Sequence, residues 1–370
     1  MRIKTVYLDD DDEELIKYER KFEEEGWAKN RFEIITINAQ REVRDLMGQV
    51  ERENPELILI DFDLSKPKND VLIGISGAPL STALRERLPE VPTVLFTRRD
   101  LFKIEQYSSR VLSSLDEIIY KSDVFKGDVG PLDFLYELAI GFEKLRNAKS
   151  KHWNGLLEMI KVPEGDHDTL KLSNPPITAG GEWSVSESAD WIRNTLLEYP
   201  GILCDPIHAA TFLGISEVPF LSDPIQEFFS EARYSGVFKP SEGRWWKSKL
   251  QEIAESIMEE NERDLLPYEG FPLAWERIEK TKIERSKCVF SGESPAEWVC
   301  YILKKPVMIK YSLSYRPDSR PTVMDEARVS FEAIRTSNDV NDDLFDPTGQ
   351  EMLVEIRGMP KKMRGDDIGD

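Results

Sequence analysis

The stretch Leu57-Ile58-Leu59-Ile60-Asp61-Phe62-Asp63 decides the fold of the N-terminal part of this chain. Four consecutive bulky apolar residues are typical of a strand buried on both faces, as in a parallel sheet that is covered by helices. Asp61 follows this strand directly. Because ligands of open parallel sheets bind at the carboxyl ends of the strands, Asp61 lies where chemistry is expected.

Three other predicted strands also end in polar side chains. These strands and the residues that follow them are Lys4–Leu8 with Asp9 to Asp12, Val91–Phe96 with Thr97, and Glu117–Tyr120 with Lys121. Taken singly, an Asp at such a position could cap a helix, and Lys121 could be a solvated surface residue. Their recurrence at successive strand ends predicts one polar site at the edge of the sheet.

Between these strands, the chain shows helical periodicity and one further strand, Phe32–Ile37. The predicted helices are Asp12–Gly26, Arg41–Glu53, Leu80–Leu88, Leu101–Leu115 and Leu132–Arg146. Five strands that alternate with five helices predict an α/β fold, in which helices cover both faces of a parallel sheet.

Composition excludes several classes of protein. At 370 residues, two domains or more are expected. The net charge is −20 and both halves of the chain are acidic, so no domain-wide basic surface for nucleic acid exists. Three cysteines, an odd number, argue against a disulfide framework and fit a reducing cytoplasm. No signal segment and no membrane span are evident, so we expect a cytoplasmic protein.

Residues 3–147 resemble the receiver domain of two-component response regulators, which has a flavodoxin-like (βα)5 fold. The resemblance rests on the acidic pair Asp9-Asp10, on Asp61 in Leu-Ile-Asp-Phe-Asp, on Thr97 in Leu-Phe-Thr and on Lys121 in Ile-Tyr-Lys. The order and approximate spacing of these residues fit the family across the whole segment, which is about two fifths of the chain.

The resemblance implies a role for each residue. Asp61 would accept the phosphoryl group, and a sensor histidine kinase or phosphotransfer protein would donate it. Mg²⁺ would be held by Asp9, Asp10, Asp61 and the main-chain carbonyl of Asp63. Thr97 and Lys121 would each bind a phosphate oxygen. This arrangement suits phosphoryl transfer, in which positioning and charge neutralisation carry the rate.

The sequence departs from the family pattern at three places. Ser65-Lys66-Pro67 stands where the family has Met-Pro after the acceptor, and Ser122 replaces the proline that usually follows the lysine. Ile118 replaces the aromatic switch residue. The chemistry can survive these changes. We therefore expect that only the coupling between the site and the rest of the chain differs from that of the family.

The remaining chain predicts a linker and a second domain. Residues 148–182 form a helix and a Pro- and Gly-rich linker, which leaves 1–147 as the receiver domain and 183–370 as an α+β output domain that is helical first and β-rich later. Trp298–Leu303 and Val307–Tyr311 flank Lys304-Lys305-Pro306, a hairpin signal. Alternation in Val329–Ile334 and Met352–Ile356 is typical of strands.

Three features of the output region suggest functions without deciding among them. Ala209–Ser216 resembles the turn of a DNA-binding helix-turn-helix, but an acidic segment broken by prolines, Glu217–Pro224, follows it. Cys204, His208, Cys288 and Cys300 could bind zinc, although no Cys-x-x-Cys pair exists. Arg244-Trp245-Trp246-Lys247 could stack on bases or anchor a protein partner, with core packing as the default.

No catalytic motif is evident beyond the acceptor site, so enzyme activity stays open. An active site scattered in sequence, around Asp205, His208 and Glu326, is one alternative. A transcription regulator that uses residues near 209–235 is another. The favoured hypothesis is a response regulator whose output domain binds a protein partner. A homodimer is left open.

Overall fold

The computed structural model describes residues 2–39, 42–64, 76–98, 115–124, 130–260, 262, 264–317 and 324–359. The chain divides into two compact units. The first consists of Met1–Ile160, Pro176–Ile192 and Gly236–Phe238, and the second of Lys161–Pro175, Arg193–Ser235 and Lys239–Asp370. The domain limits 1–147, 148–182 and 183–370 stay a prediction.

A five-stranded, all-parallel sheet organises the first unit. Its strands are β1 (Ile3–Asp9), β2 (Phe32–Asn38), β3 (Leu57–Ile60), β4 (Thr93–Thr97) and β5 (Glu117–Tyr120). They lie in the order β2-β1-β3-β4-β5. The predicted doubly wound fold is confirmed, and the reversal of strand order beside β1 makes the gap between β1 and β3 a switch point, where such folds bind ligands.

Seven helices of the described residues belong to this unit. They are α1 (Asp12–Glu24), α2 (Gly26–Arg31), α3 (Val43–Glu53), α4 (Gly77–Arg87), α5 (Gly130–Ala148), α6 (His152–Ile160) and α8 (Val185–Trp191). The predicted helix Leu101–Leu115 lies almost entirely outside the described residues, and so do Ser65-Lys66-Pro67 of the predicted loop.

The core of this unit confirms the interpretation of the decisive stretch. All four residues of β3 have no exposed surface. Leu8 in β1 and Ile60 in β3 pair directly and pack with Leu46 of α3 and Leu84 of α4. A continuous apolar run is therefore required here, because both faces of the central strands are covered.

The second unit is helical first and then contains short strands, as predicted. Its helices are α7 (His167–Leu172), α9 (Pro206–Phe212), α10 (Glu217–Phe220), α11 (Asp223–Phe228), α12 (Lys247–Ser256), α13 (Pro267–Glu279), α14 (Phe331–Thr336) and α15 (Pro347–Gly358). Its strands are β6 (Leu203–Cys204), β7 (Trp245–Trp246), β8 (Trp298–Val299), β9 (Pro306–Val307), β10 (Ser312–Tyr315) and β11 (Ala327–Ser330). They form three antiparallel pairs, β6–β7, β8–β9 and β10–β11. The predicted hairpin around Lys304-Lys305 is confirmed as β8–β9.

Two alternating segments near the C-terminus do not form the strands that their pattern indicates. Met352–Ile356 lies inside helix α15, whose start is fixed by the N-cap Asp346 and by Pro347. Val329–Ile334 changes from strand to helix at Ser330, because the Ser330 hydroxyl accepts a hydrogen bond from the amide of Ala333 and caps α14. Short apolar runs do not distinguish strands from helices, so capping decides.

Both tryptophans of the basic–aromatic segment are buried, which agrees with core packing as the default interpretation. The two-residue strand β7 pairs with β6 and sends its side chains to opposite faces. Trp245 packs edge-on against Phe220, with ring centroids 5.0 Å apart, and Trp246 packs against Tyr234 at 5.9 Å. Core packing therefore accounts for both rings. Among the described helices, none is long and apolar enough to cross a membrane.

Candidate functional site

The structure brings the predicted strand ends to one edge of the sheet. Leu8 pairs with Ile60, so Asp9 and Asp61 lie side by side at the carboxyl ends of two adjacent strands. On the other side, Thr97 ends β4 and pairs with Tyr120, and the amide of Lys121 donates to the Thr97 carbonyl at 2.7 Å. Parallel pairing in register is thus what aligns these positions.

Lys121 bridges the two central carboxylates. Its Nζ lies 2.5 Å from Asp61 Oδ1 and 2.8 Å from Asp9 Oδ2, and a third carboxylate, that of Glu14, lies at 3.9 Å. Lys121, Asp9 and Asp61 are all buried. The two carboxylates compensate the charge of the Lys121 ammonium, because a buried charge without a partner would be strongly unfavourable.

One cation does not balance the negative charge at this edge. The pKa of Asp61 is raised to about 6. Burial is the largest cause, the neighbouring Lys121 opposes it, and the Asp9 carboxylate adds to it. Asp10 is buried as well. A site whose carboxylates are held close together in a partly desolvated cleft favours the arrival of a further cation.

Tyr7 completes the surroundings of Lys121, and the sequence interpretation missed it. Its hydroxyl donates a hydrogen bond to Asp9 Oδ2, the same oxygen that accepts from Lys121. The Lys121 ammonium also lies 5.5, 5.6 and 5.9 Å from the ring centroids of Tyr7, Tyr18 and Phe96. A signal existed, since residues two apart on a strand share a face and Tyr7 is two residues before Asp9.

Main-chain contacts fix the loop that follows the predicted acceptor. The Asp61 amide donates to the Leu8 carbonyl at 2.8 Å, and the Asp63 amide donates to Asp61 Oδ2 at 2.9 Å. The Gly77 amide donates to the carbonyl of Phe62 at 2.9 Å. A Cβ atom on Gly77 would lie 1.9 Å from the Asp61 carbonyl oxygen. Helix α4 therefore approaches the site as closely as only glycine allows.

Thr97 is buried at the end of β4, and its hydroxyl has no hydrogen-bond partner within the described part of the chain. Buried hydroxyls usually have a partner, so this one has capacity for a ligand. Arg98, the next residue, is exposed and lines the cleft, although the sequence interpretation did not single it out.

The strand ends enclose a shallow cleft of about 80 Å³. Its described lining consists of Asp9, Asp10, Asp11, Glu14, Asp61, Asp63, Arg98 and Lys121, and it does not include Thr97. Carboxylate oxygens are the hard donors that Mg²⁺ prefers, so the donor set fits this ion. Within the described residues, no three His, Cys, Asp or Glu side chains are already arranged as a metal-binding group. An ion held by Asp9 and Asp61 would share their oxygens with Lys121.

The cysteines of the second unit lie in its packed interior. All three thiols are free and buried. The Cys288 sulfur accepts from the Met308 amide at 3.4 Å, and the Cys300 sulfur accepts from the Ser330 amide and hydroxyl at 3.3 and 3.2 Å. Both cysteines pack in one apolar cluster with Val329. These contacts explain both residues without zinc.

The segment that resembles a helix-turn-helix is a tight helical corner. Helix α9 ends at Phe212, Gly214 adopts φ +70°, and α10 has four residues. A side chain on Gly214 would meet the Tyr268 carbonyl at 1.9 Å, so glycine is required both by conformation and by space. A four-residue second helix is too short to read a major groove, which needs several side chains on one helix face.

Comparison with known proteins gives similarity for the N-terminal part only. The Francisella response regulator 1452 receiver domain is 18% identical, with 37% of this chain and 98% of that chain covered and a TM-score of 0.28. The response regulator TrrA from Thermotoga maritima, in complex with Mg²⁺ and BeF, is 20% identical, with 36% and 99% covered and a TM-score of 0.27. The BeF₃-activated receiver domain of Klebsiella pneumoniae RstA is 20% identical, with 36% and 97% covered and a TM-score of 0.28.

No family model matches the sequence, and the search of curated proteins found no relative. The assignment of the fold rests on the strand order and on the residues at the strand ends. By these criteria, the N-terminal part of the chain has the receiver fold of response regulators.

Proposed function

We propose that the receiver domain is a working phospho-acceptor module, with Asp61 as the acceptor. The supporting observation is the position of Lys121, whose ammonium contacts Asp61 and Asp9 at the carboxyl edge of the sheet. A phosphoryl group on Asp61 would add negative charge beside this ammonium, which would then bind a phosphate oxygen. The Thr97 hydroxyl, buried and without a partner among the described residues, would bind another.

The proposed Mg²⁺ ligands are Asp9, Asp10, Asp61 and the main-chain carbonyl of Asp63. Mg²⁺ would supply charge neutralisation of the phosphoryl oxygens. The carboxylate-rich lining of the cleft supports this ligand set, and so does the raised pKa of Asp61, which reports incomplete compensation of charge. Asp63 is already tied to Asp61 through its amide, so its carbonyl is held near the acceptor.

The proposed donor is a sensor histidine kinase or a phosphotransfer protein, met in the cytoplasm. The acceptor carboxylate would attack phosphorus as the bond from phosphorus to the donor breaks, and Lys121 would hold Asp61 in position for this step. We further propose that phosphorylation controls residues 183–370 and that this output region binds a protein partner. The short helix after Gly214 and the burial of Trp245 and Trp246 remove the two elements that the sequence offered for contact with bases.

The test is intact-mass spectrometry of the full chain after incubation with acetyl phosphate, with and without MgCl₂. The proposal expects one phosphate adduct that requires Mg²⁺ and that is absent in Asp61→Asn. Asp45→Asn, which removes an exposed carboxylate on α3, should be modified like the wild type. A wild-type chain that stays unmodified with Mg²⁺ and also with a phosphorylated phosphotransfer protein would contradict the proposal.

A further inference from the structure

A cavity of about 300 Å³ lies within the second unit, and the proposed phosphorylation does not use it. Residues of α9, the start of α12, the start of α13 and β8 line it. Its walls include five aromatic residues, Tyr199, Phe212, Tyr268, Trp298 and Tyr301. The volume is at the lower end of the range for small-molecule sites, and aromatic walls with a few polar groups are typical of them.

The charged groups at the inner end of the cavity are already paired. Lys247 Nζ contacts both carboxylate oxygens of Asp325, at 2.7 and 2.9 Å. His208 is held by Asp205, whose Oδ1 lies 2.8 Å from His208 Nδ1 and 2.9 Å from the His208 amide. Burial raises the pKa of Asp205, but the hydrogen bonds and charge of His208 outweigh this and hold it below its usual value. The Asp205 carboxylate therefore fixes the imidazole of His208 through Nδ1.

The structure brings together the three groups of the scattered active site that the sequence left open, since Asp205 is bonded to His208 beside Glu326. Glu326 and His208 line the same cavity. However, burial raises the pKa of the Cys204 thiol to about 12, which keeps it protonated and unreactive. Although burial lowers the pKa of Lys247, the Asp325 carboxylate outweighs it and keeps the amine charged. Neither candidate nucleophile is activated, so the cavity has the character of a binding site.

The remaining polar groups of the cavity are mainly acceptors. Glu198 and Glu297 have no ion pair within the described part of the chain, and one Glu297 oxygen accepts from the Ile309 amide at 2.8 Å. The Thr211 hydroxyl is buried and has no hydrogen-bond partner among the described residues. Lys304 is the one cation at the rim without a carboxylate partner in that part of the chain, and it lies 4.7 Å from the Tyr301 ring centroid.

We propose that this cavity binds a small organic ammonium ligand, in which an apolar or aromatic body carries a primary amine. The body would lie between the aromatic walls, and the ammonium would face Glu198 and Glu297, where the rings add cation–π attraction. Donor-rich ligands suit a cavity in which the carboxylates of Glu198 and Glu297 and the buried Thr211 hydroxyl outnumber the one cation, Lys304, that has no carboxylate partner within the described residues. An anionic ligand of the same shape would meet uncompensated carboxylates and be rejected.

The experiment compares three probes with one aromatic body and different charge: phenethylamine, 2-phenylethanol and 3-phenylpropionate. Binding to the full chain is measured by isothermal titration calorimetry, and the change in total tryptophan fluorescence supplies a second signal. The proposal expects phenethylamine to bind at least tenfold more tightly than 2-phenylethanol, and 3-phenylpropionate not to bind. Comparable binding of the alcohol or of the anion, or no binding of phenethylamine at millimolar concentration, overturns it.

A variant that lacks one carboxylate of the cavity shows whether the ligand binds there. Glu297→Gln retains an oxygen for the Ile309 amide, so it should fold, and it should weaken phenethylamine binding about five- to tenfold while leaving 2-phenylethanol unchanged. Glu355→Gln removes an exposed carboxylate of α15 outside the cavity and should have no effect. Equal binding by the wild type and Glu297→Gln would overturn the assignment. Because phosphorylation of Asp61 plays no part, failure here leaves the proposed acceptor function untouched.

Discussion

Lys121 Nζ and Asp61 Oδ1 are 2.5 Å apart, which joins the end of β5 to the end of β3 across the intervening strand β4. The same ammonium contacts Asp9 at the end of β1. One side chain therefore ties three of the five strand ends together. The predicted acceptor therefore belongs to an ion-pair network that joins strand ends, and the first two predictions test what this network contributes to stability.

Replacement of Lys121 by Met should strongly destabilise the sheet in the absence of Mg²⁺. It leaves the buried Asp9 and Asp61 carboxylates without their cation, a change that costs about 3–5 kcal/mol. Hydrogen exchange of β1 and β3 amides at increasing urea measures the loss for this sheet alone. Added MgCl₂ should restore part of it.

Lys149→Gln is the matched control, because Lys149 forms an exposed ion pair with Glu90. Its effect should be within about 1 kcal/mol. If Lys121→Met has an equally small effect, the bridge does not hold the strand ends together.

Asp61→Asn should stabilise the Mg²⁺-free protein at neutral pH. Burial raises the Asp61 pKa from 3.8 to about 6, so the folded state favours the protonated form. The stability that this group contributes is complete below pH 3.8 and is lost as the pH rises through 6. That difference in pKa corresponds to about 3 kcal/mol.

Urea titrations of wild type and Asp61→Asn in EDTA between pH 4 and 8 provide the measurement. The stability of the variant should fall less than that of the wild type over this interval. A variant that is less stable than the wild type at pH 7.5 would show that the Lys121 contact outweighs burial.

Gly77→Ala should impair both folding and phosphorylation. The added methyl group would collide with the Asp61 carbonyl at 1.9 Å, and main-chain atoms must shift to accept it. We expect a loss of about 1–3 kcal/mol and a slower phosphorylation rate in the acetyl phosphate assay. Gly48→Ala, inside α3 with open space around its Cβ position, should instead stabilise by about 0.5–1 kcal/mol. Normal phosphorylation of Gly77→Ala would contradict a positioning role for the start of α4.

Tyr7→Phe should destabilise the sheet by about 1.5–3 kcal/mol, the value for a hydrogen bond to a charged group. It removes the hydroxyl that donates to Asp9 and keeps the ring that faces Lys121. Tyr18→Phe, whose ring also lies beside Lys121, should have a smaller effect, since the Tyr18 hydroxyl makes no hydrogen bond to Asp9 or Asp61 among the described residues. Thermal unfolding of both variants tests this, and equal losses would assign the effect to ring packing.

The sequence predicted the sheet and its edge well because each strand is a short apolar segment that ends in a polar residue, a local pattern that repeats along the chain. The four apolar residues of β3 recur in a chain that alternates strands and helices, which favours a strand covered on both faces, and parallel register brings residues such as Asp9, Asp61 and Lys121 to one edge. The hydrogen bond between Tyr7 and Asp9 was not predicted, because Tyr7 lies inside β1 and not at its end. Side chains alternate between the two faces of a strand, so Tyr7 and Asp9 lie on the same face of β1, and this spacing indicates the contact.

The second unit was predicted less well, since its short elements depend on tertiary partners. Core packing of Trp245 and Trp246 was the default interpretation, but their pairing with β6 is a tertiary contact that no local pattern reveals. In Met352–Ile356, the alternation indicated a strand, yet the cap at Asp346 starts a helix that includes the segment. The cavity beside His208 is assembled from residues more than 100 positions apart in sequence, from Glu198 to Ala327.

The most direct test of the central claim locates the phosphoryl group. After incubation with acetyl phosphate and Mg²⁺, borohydride reduces an aspartyl phosphate to homoserine, and peptide mass spectrometry identifies the position. Our account predicts homoserine at position 61 in the wild type and none in Asp61→Asn. Homoserine at position 9, 10 or 63, or its formation in the Asp61→Asn chain, would contradict the assignment of Asp61 as the acceptor.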